Sequence, residues 1–416
     1  MLHIAKRVAD MREPEILKYN SLIAKAEAAG KTVYNLAIGQ PDLKTPDAFL
    51  KQAAAHKGDV HAYALPEGSP ELRAAAEAYY ARAGYRFTPE DILVTGGGSE
   101  ALMFALNTVC DPGERVLIPE PFYSVYKDLA TSLSIRIDGL KTETENGFDL
   151  PDVDVIEAAV TPQTRAILIT HPGNPTGKVY TKAEIDRLIA VCKKHDLFLL
   201  SDEVYREFRY DGTPFDSPAF DPSARDNVVI LDSISKRYSA CGARIGFIAS
   251  ANPTFIKACK KLCEMRLAVS SADQAGAAAL LAMGLGFFDD MLAEYARRRE
   301  AVDACLKKIP GLVYQKPMGA FYYMVGLPVD DADAFMRFML TEFDEDGETV
   351  LLAPAGDFYT DDLTGKSEAR LAYVLEEDKL THALTLLGHG IAAYQAKTDE
   401  QQHRQNNQQI NIKDKL

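Results

Sequence analysis

No stretch of the chain is apolar for long enough to cross a bilayer. The longest nearly unbroken run, Ala275 to Phe288, falls short of the ~20 residues a spanning helix needs and is rich in Gly and Ala. Cysteines are few and scattered, at positions 110, 192, 241, 259, 263 and 305, with no CxxC pair, so neither a disulfide framework nor a zinc site is indicated. The histidines form no metal-ligand spacing, and no metal is expected. Positive charge is in deficit: 46 Lys and Arg stand against 60 Asp and Glu, a formal net charge of −14. That balance argues against nucleic acid or an anionic membrane as the main partner. The opening residues lack the apolar core of a signal peptide, which makes the cytoplasm the expected location.

What is present is globular: 47% hydrophobic and 25% charged over 416 residues, enough chain for two or three domains. Between about 90 and 250, short apolar runs alternate with helical patterns: Ile92–Thr95, Arg115–Ile118, Ala166–Ile169, Leu197–Leu200, Val228–Leu231 and Ile245–Ile248. Runs apolar throughout are what strands buried on both faces require. A segment such as Lys182 to His195, with Ile185, Leu188, Ile189 and Cys192 on one stripe, would cover them. The expected fold class is α/β: a mostly parallel sheet with helices on both faces, plus a smaller α+β domain from about 300. The expected division is an N-terminal segment (1–46) packing with the small domain, a large domain (47–297), a small C-terminal domain (298–394) and a mobile or surface-bound polar tail (395–416). The tail is rich in Asn and Gln and has little apolar surface to bury.

The most informative run is Ser233-Ile-Ser-Lys-Arg-Tyr-Ser-Ala-Cys-Gly-Ala-Arg-Ile-Gly246. It follows an apolar strand directly, so Ser233 and Lys236 belong to a strand's carboxyl end, where open α/β sheets place their sites. A lysine there, flanked by hydroxyls and by Arg244, is placed for a Schiff base beside an anion-binding pair. The SxSK part alone reads equally as a surface lysine in a polar loop. In Val94-Thr-Gly-Gly-Gly-Ser-Glu-Ala-Leu102 a strand enters a glycine turn and a helix leaves it. The backbone amides at Gly98 and the Ser99 hydroxyl can cradle a phosphate. Ser99 followed by Glu100 serves equally as an ordinary N-cap.

Two further clusters follow strands. Thr170-His-Pro-Gly-Asn-Pro-Thr-Gly177 sets Asn174 in a proline-bracketed turn, and Ser201-Asp-Glu-Val-Tyr205 puts Asp202 just beyond an apolar run. Each has a plain alternative, a turn for the first and a helix cap for the second. Together the sheet would deliver an amide, a carboxylate, a phenol, a lysine and an arginine to one edge. That set suits an aromatic phosphate cofactor bearing an aldehyde.

These motifs, with Leu36-Ala-Ile-Gly-Gln-Pro-Asp-Leu-Lys-Thr-Pro46, Tyr63-Ala-Leu-Pro-Glu-Gly-Ser-Pro-Glu-Leu-Arg73 and Arg370-Leu-Ala-Tyr373, resemble those of class I, fold-type-I pyridoxal 5'-phosphate (PLP) aminotransferases, of the aspartate aminotransferase-like kind. The resemblance covers nearly everything but the last twenty-odd residues. It implies that Lys236 carries the cofactor and moves a proton, and that Asp202 keeps the ring nitrogen protonated. It implies that Tyr205 and Asn174 hydrogen-bond the ring oxygen, that Gly98, Ser99, Ser233 and Arg244 hold the phosphate, and that Tyr123 stacks on the ring. Tyr63 would reach the phosphate of a neighbouring subunit, giving a homodimer with shared sites. Arg370 would clamp the substrate α-carboxylate with help from the Gly39 amide. For Tyr123 plain core packing, and for Arg370 a solvated charge, are the alternatives.

The resemblance departs at His171 and Gly173, where asparagines are frequent in the family; His171 lines the pocket or is a satisfied turn histidine. The implied substrates are an amino acid and a 2-oxo acid, with 2-oxoglutarate as one partner and aspartate favoured as donor. A dicarboxylic donor needs a second cation. Some aspartate-specific relatives place a lysine where this chain has Asn107, and Arg12 and Arg266 are the candidates to replace it. The aromatics around Phe358-Tyr359 and Phe321-Tyr-Tyr323 would also permit bulky side chains. Competing readings are a PLP-dependent C–S β-lyase or decarboxylase, which the same cofactor residues would serve. A non-enzymatic effector-binding domain is the third, opposed by the acidic charge and the intact Lys236.

Overall fold

The computed structural model describes residues 2–11, 18–56, 60, 62–361 and 363–413. These fall into two compact units, Met1–Arg12 with Gln40–Ala296 and Pro317–Tyr322, and Glu13–Gly39 with Arg297–Lys316 and Tyr323–Leu416. The expected N-terminal segment (1–46) is divided here: the helix Lys6–Ala9 and the residues from Gln40 onward go with the first unit, as does Pro317–Tyr322.

In the first unit the apolar runs become a seven-stranded sheet. Its strands are β1 (Ile92–Thr95), β2 (Arg115–Glu120), β3 (Arg136–Lys141), β4 (Thr164–Thr170), β5 (Phe198–Asp202), β6 (Val228–Ser233) and β7 (Gly246–Ala249), in the spatial order β1-β7-β6-β5-β4-β2-β3. Six strands point the same way and β7 alone runs against them, antiparallel to both β6 and β1. Alternate residues on each strand face opposite ways. Val116, Ala166, Leu168, Leu200, Val229 and Ile248 pack into one buried cluster with Ala101, Leu102 and Ala105 of the helix Gly98–Val109 and with Cys259 and Cys263 of the helix Pro253–Arg266. The helix Lys182–Lys194 packs on β4 and β5 with Ile185, Leu188, Ile189 and Cys192 buried. It starts at a capping box: Thr181 Oγ1 accepts from the Glu184 amide (3.3 Å), and the Glu184 carboxylate accepts from the Thr181 amide (2.8 Å).

Successive strands β4, β5 and β6 step toward one edge of the sheet, while β2 and β3 step toward the other. The direction reverses between β2 and β4, and such a reversal opens a crevice at the strands' carboxyl ends. A cleft lies there, lined by Pro121, Phe122, Thr170, Gly173, Asn174 and Tyr180.

The second unit carries a four-stranded sheet of Ala353–Pro354, Glu368–Ala372, Tyr322–Gly326 and Val313–Tyr314, and a parallel pair of Thr32–Asn35 and Glu348–Leu351. Asp331 caps the helix Ala332–Thr341, accepting from the Ala334 amide at 3.0 Å. The N-terminal helical pattern expected from Ile16 to Ala29 is helical over Asn20–Ala28; residues 12–17 lie outside the described residues. The final helix, Glu377–Lys413, runs through most of the polar tail, where no order of its own was expected. Gln, Glu, Lys and Arg are good helix formers, the tail has no Gly or Pro, and the helix is already nucleated against the core upstream. Among the described residues no helix is long and apolar enough to cross a membrane.

Candidate active site

Three strand ends carry the chemistry. Asp202 is the last residue of β5 and Ser233 the last of β6, so both belong to the strands rather than lying past them. Asp202 pairs in register with Thr170 of β4 on one side and Leu231 of β6 on the other. Gly246 of β7 pairs with both Thr95 of β1 and Ser233 of β6, which draws the glycine turn and the lysine run together.

The glycine turn is crowded at Gly97, and the facing Gly246 is crowded against it. Gly97 has φ +91°, and a Cβ there would collide with the Arg244 guanidinium. A Cβ on Gly246 would come within 2.5 Å of the Gly97 carbonyl carbon, so backbone lies directly on backbone. A Cβ at Gly98 would sit 3.9 Å from Ser233 Cβ. Arg244, itself in the left-handed region at φ +52°, donates from Nη1 to the Cys241 carbonyl (3.0 Å) and from Nη2 to the Gly96 carbonyl (3.2 Å). The free amides at the start of the helix Gly98–Val109, the exposed Ser99, Ser233 and the Arg244 fork thus meet at one place fit for a phosphate.

Ser99 is not the N-cap. Gly97 occupies that position, and Glu100 reaches back to accept from the Gly96 amide at 2.6 Å. Glu100 also faces Arg266 Nε at 3.3 Å, while Arg266 Nη2 donates to the Val94 carbonyl at 2.9 Å. Arg266, a candidate for the substrate's second carboxylate, therefore braces the turn from behind. The other candidate, Arg12, lies outside the described residues.

Asp202 is almost wholly buried, with the Tyr126 hydroxyl 3.0 Å from Oδ2 and the same hydroxyl 2.7 Å from Thr170 Oγ1. Burial pushes its carboxyl up to about 7; the negative charges of Asp232 and Glu203 push the same way, against the Tyr126 hydroxyl and the Val204 amide. A protonated ring nitrogen beside Asp202 would supply the positive charge that favours the ionised form. Tyr126 was not singled out from sequence; its only signal is a position three residues after Tyr123 at the mouth of a strand.

Lys236 lies in the turn after β6, partly exposed, with its carbonyl accepting from the Ser239 amide at 3.2 Å. Tyr205 is buried, its hydroxyl 2.9 Å from that of Tyr322 and its ring edge-on to Phe321 at 5.2 Å. Phe321 and Tyr322 are accordingly core and support for Tyr205, not the open walls of a pocket for bulky side chains. Asn174 is buried in its turn, and Tyr123 is half-buried with its ring edge-on to Tyr126 at 5.6 Å. His171 is fully buried, stacks on Phe215 at 4.4 Å, and accepts from the Tyr180 amide at Nδ1 (3.3 Å). Burial pushes it down to about 3, so the ring is neutral, a buried side chain of the turn packed on Phe215. Tyr63 is 82% exposed.

In the second unit Arg370 is not a solvated charge. It is 1% exposed, donates from Nη2 to the Ala37 carbonyl at 2.6 Å, and lies 5.4 Å over the Phe358 ring. The Ala372 amide donates to the Leu36 carbonyl at 2.9 Å, which holds the Leu36–Gly39 segment beside that strand. Among the described residues no group of His, Cys, Asp and Glu is arranged to hold a metal ion.

A lysine in the turn after β6, a buried carboxylate at the end of the adjacent strand and an anion cradle across one glycine are residues that fit a phosphate-bearing aldehyde cofactor such as PLP. Comparison with known proteins agrees. The model of the family "Aminotransferase class I and II" matches residues 31–385. An aspartate aminotransferase of Rhizobium meliloti is 33% identical over 329 residues, 77% of this chain and 79% of that protein. A probable aspartate/prephenate aminotransferase of Aquifex aeolicus is 31% identical, over 92% of this chain and 96% of that one. The aspartate aminotransferase of Thermus thermophilus, solved with maleate, superposes with a TM-score of 0.85 at 28% identity, covering 94% of this chain and all of that one. The chain belongs to the class I and II aminotransferase family. It is a class I, PLP-dependent aminotransferase with the fold-type-I, aspartate aminotransferase-like architecture.

Proposed function

We propose that the chain moves the amino group of an L-amino acid, aspartate foremost, to 2-oxoglutarate. The favoured donor rests on the names of the relatives. The site reading rests on a single geometric observation: Asp202, Ser233 and the lysine turn stand at adjacent strand ends, one residue of β7 away from the glycine cradle.

When bound, PLP supplies an aldehyde that captures amines and a ring that takes up the electron pair left at the substrate Cα. The chain's own residues do the rest. Lys236 would hold the cofactor between turnovers and serve as the base that takes the proton from the substrate Cα and as the acid that gives it back. Asp202 holds positive charge on the ring nitrogen, aided by the Tyr126 hydroxyl. Tyr205 and Asn174 hydrogen-bond the ring oxygen, and Tyr123 lies over the ring. Gly98, Ser99, Ser233 and Arg244 bind the phosphate. Arg370, with the Gly39 amide, fixes the substrate carboxylate, the planar fork matching two oxygens. Tyr63 acts on the phosphate of a second copy, and its outward exposure suits a homodimer with shared sites. The acidic charge and the absence of CxxC pairs favour work in the cytoplasm.

The test is a half-reaction screen: holoenzyme is mixed with each common amino acid and no 2-oxo acid. Aspartate is expected to react fastest and to release one equivalent of 2-oxo acid per subunit. Continuous release of pyruvate and ammonia would instead assign a β-lyase, and carbon dioxide a decarboxylase. Borohydride reduction should fix PLP on Lys236, and a label elsewhere would overturn the site assignment.

A further inference from the structure

Each of four residues proposed to face the cofactor has an immediate neighbour that is charged and almost fully buried: Asp202–Glu203, Tyr205–Arg206, Asp232–Ser233 and Lys236–Arg237. Along a strand, neighbours project to opposite sides, so Asp232 points away from the side to which Ser233 points, and Glu203 follows Asp202 directly beyond the end of β5. The four charges, joined by Glu207, form one connected cluster behind the site. Arg206 pairs from Nη2 with Asp232 (3.0 Å) and from Nε with Glu203 (3.2 Å). Arg237 hydrogen-bonds Asp232 from Nη2, while its Nε lies 2.8 Å from Glu207 Oε2 as an ion pair without hydrogen-bond alignment.

Tyrosines from the helix Pro70–Arg82 and just after it close the cluster. Tyr80 donates to Asp232 at 3.0 Å, Tyr85 donates to Glu203, and Tyr79 accepts from Arg237 Nη1 at 2.8 Å while donating to Glu207. Ser217 donates to the remaining oxygen of Glu203 at 2.7 Å.

Such a cluster is a poor way to gain stability. Desolvating three carboxylates and two guanidiniums costs about what their pairing returns, and apolar packing of the same volume would do as well. What it does fix is geometry, because a guanidinium fork sets the angles as well as the distances of the groups it binds. We propose that Arg237, hydrogen-bonded to Asp232 and Tyr79 and ion-paired with Glu207, is a positioning residue for Lys236, and that the buried ion cluster holds the amine, Asp202 and Ser233 in register for the cofactor. This inference rests on the site assignment above.

The test compares wild-type holoenzyme with Arg237→Lys, which keeps the charge but loses the fork, and with Tyr79→Phe, which removes one hydroxyl and leaves the ion pairs. PLP affinity is titrated on cofactor-stripped protein, and kcat and KM for the best donor are read at saturating PLP. Arg237→Lys is expected to bind PLP at least tenfold more weakly and to lose roughly tenfold to a hundredfold in kcat, as a misplacement of about 1 Å would produce. Its KM should stay within twofold, because no residue of the cluster is placed on the substrate carboxylate. Tyr79→Phe should change both quantities in the same direction by about threefold or more, since it removes the hydroxyl's bonds to Arg237 and Glu207 but leaves the ion pairs. A folded Arg237→Lys protein with wild-type PLP affinity and kcat, or with only KM altered, overturns the proposal. Should that variant not fold, wild-type values in Tyr79→Phe overturn it instead. Borohydride labelling of the wild type separates the two readings: no label at position 236 takes down the site assignment and this inference together, whereas a label there with unaltered variants takes down this inference alone.

Discussion

The hydroxyl of Tyr126 lies 3.0 Å from Oδ2 of Asp202. It is a donor aimed at a carboxylate that burial keeps from ionising freely. A hydrogen bond to a charged acceptor is worth about 1.5–3 kcal/mol. Tyr126→Phe is therefore expected to lower kcat roughly tenfold to a hundredfold, with KM for the amino acid nearly unchanged, since the lost interaction favours ring protonation and not substrate binding. Steady-state kinetics at saturating PLP check this; an unaltered kcat would remove Tyr126 from the machinery.

Asp202 gives a pH signature in the cofactor-free protein. Its carboxyl holds the proton up to about pH 7 when folded, whereas an unfolded one releases it near ~4. Between those values the folded state binds more protons, so this group's contribution to stability is intact below ~4 and is lost as pH rises through about 7. Asp202→Asn should melt at about the wild-type temperature at pH 4 and above it at pH 8. In the PLP-loaded enzyme the same change should cost kcat about 10²–10³, the usual loss for an electrostatic stabiliser of the reacting group. Parallel melting curves for the two proteins from pH 4 to 8 would show that the carboxyl is not held protonated.

Gly246 and Gly242 form a matched pair for denaturation. A methyl at Gly246 would meet the Gly97 carbonyl carbon at 2.5 Å, whereas at Gly242 it would meet nothing within 4 Å. Gly246→Ala should lose about 1–3 kcal/mol and bind PLP more weakly, because the cradle and β7 must part. Gly242→Ala should stay within about 0.5 kcal/mol of wild type. Urea melts showing equal stability for both variants would contradict the close approach of β7 to the turn.

Arg370 is buried and already tied to Ala37, so its fork is held in a fixed plane. Arg370→Lys keeps the charge and loses the second arm. A drop in kcat/KM of about tenfold to a hundredfold, carried mainly by KM, is the expected result. A variant with unchanged KM for every donor would place substrate-carboxylate recognition elsewhere.

Much of this was readable in one dimension, but unevenly. The strands β4, β5 and β6 are apolar on both faces, so their runs are unambiguous, and the residues that close them, Asp202 and Ser233, stand out by polarity. That β7 runs antiparallel left no mark, because four apolar residues read the same in either direction. Glu100 looked like part of an N-cap pair with Ser99; the actual brace, Glu100 with Gly96 and Arg266, depends on Arg266 arriving from more than 160 residues away. That a helix runs into the Asn/Gln-rich tail left little mark, because composition measures how little a segment can bury, not whether a helix already begun upstream can run into it.

The order of residues along the chain determined the identity of the chemistry: a lysine and hydroxyls behind one apolar run, a carboxylate behind the next, glycines before a helix. Local backbone preference and burial are sufficient to bring such residues to strand ends. Only the folded chain decided which of them touch. The placing of Gly246 between Thr95 and Ser233, the hydroxyl of Tyr126 on Asp202, and the bond of Arg237 to Tyr79 all join segments distant in sequence. They arise from strand order and close packing, and no local property of the residues involved encodes them.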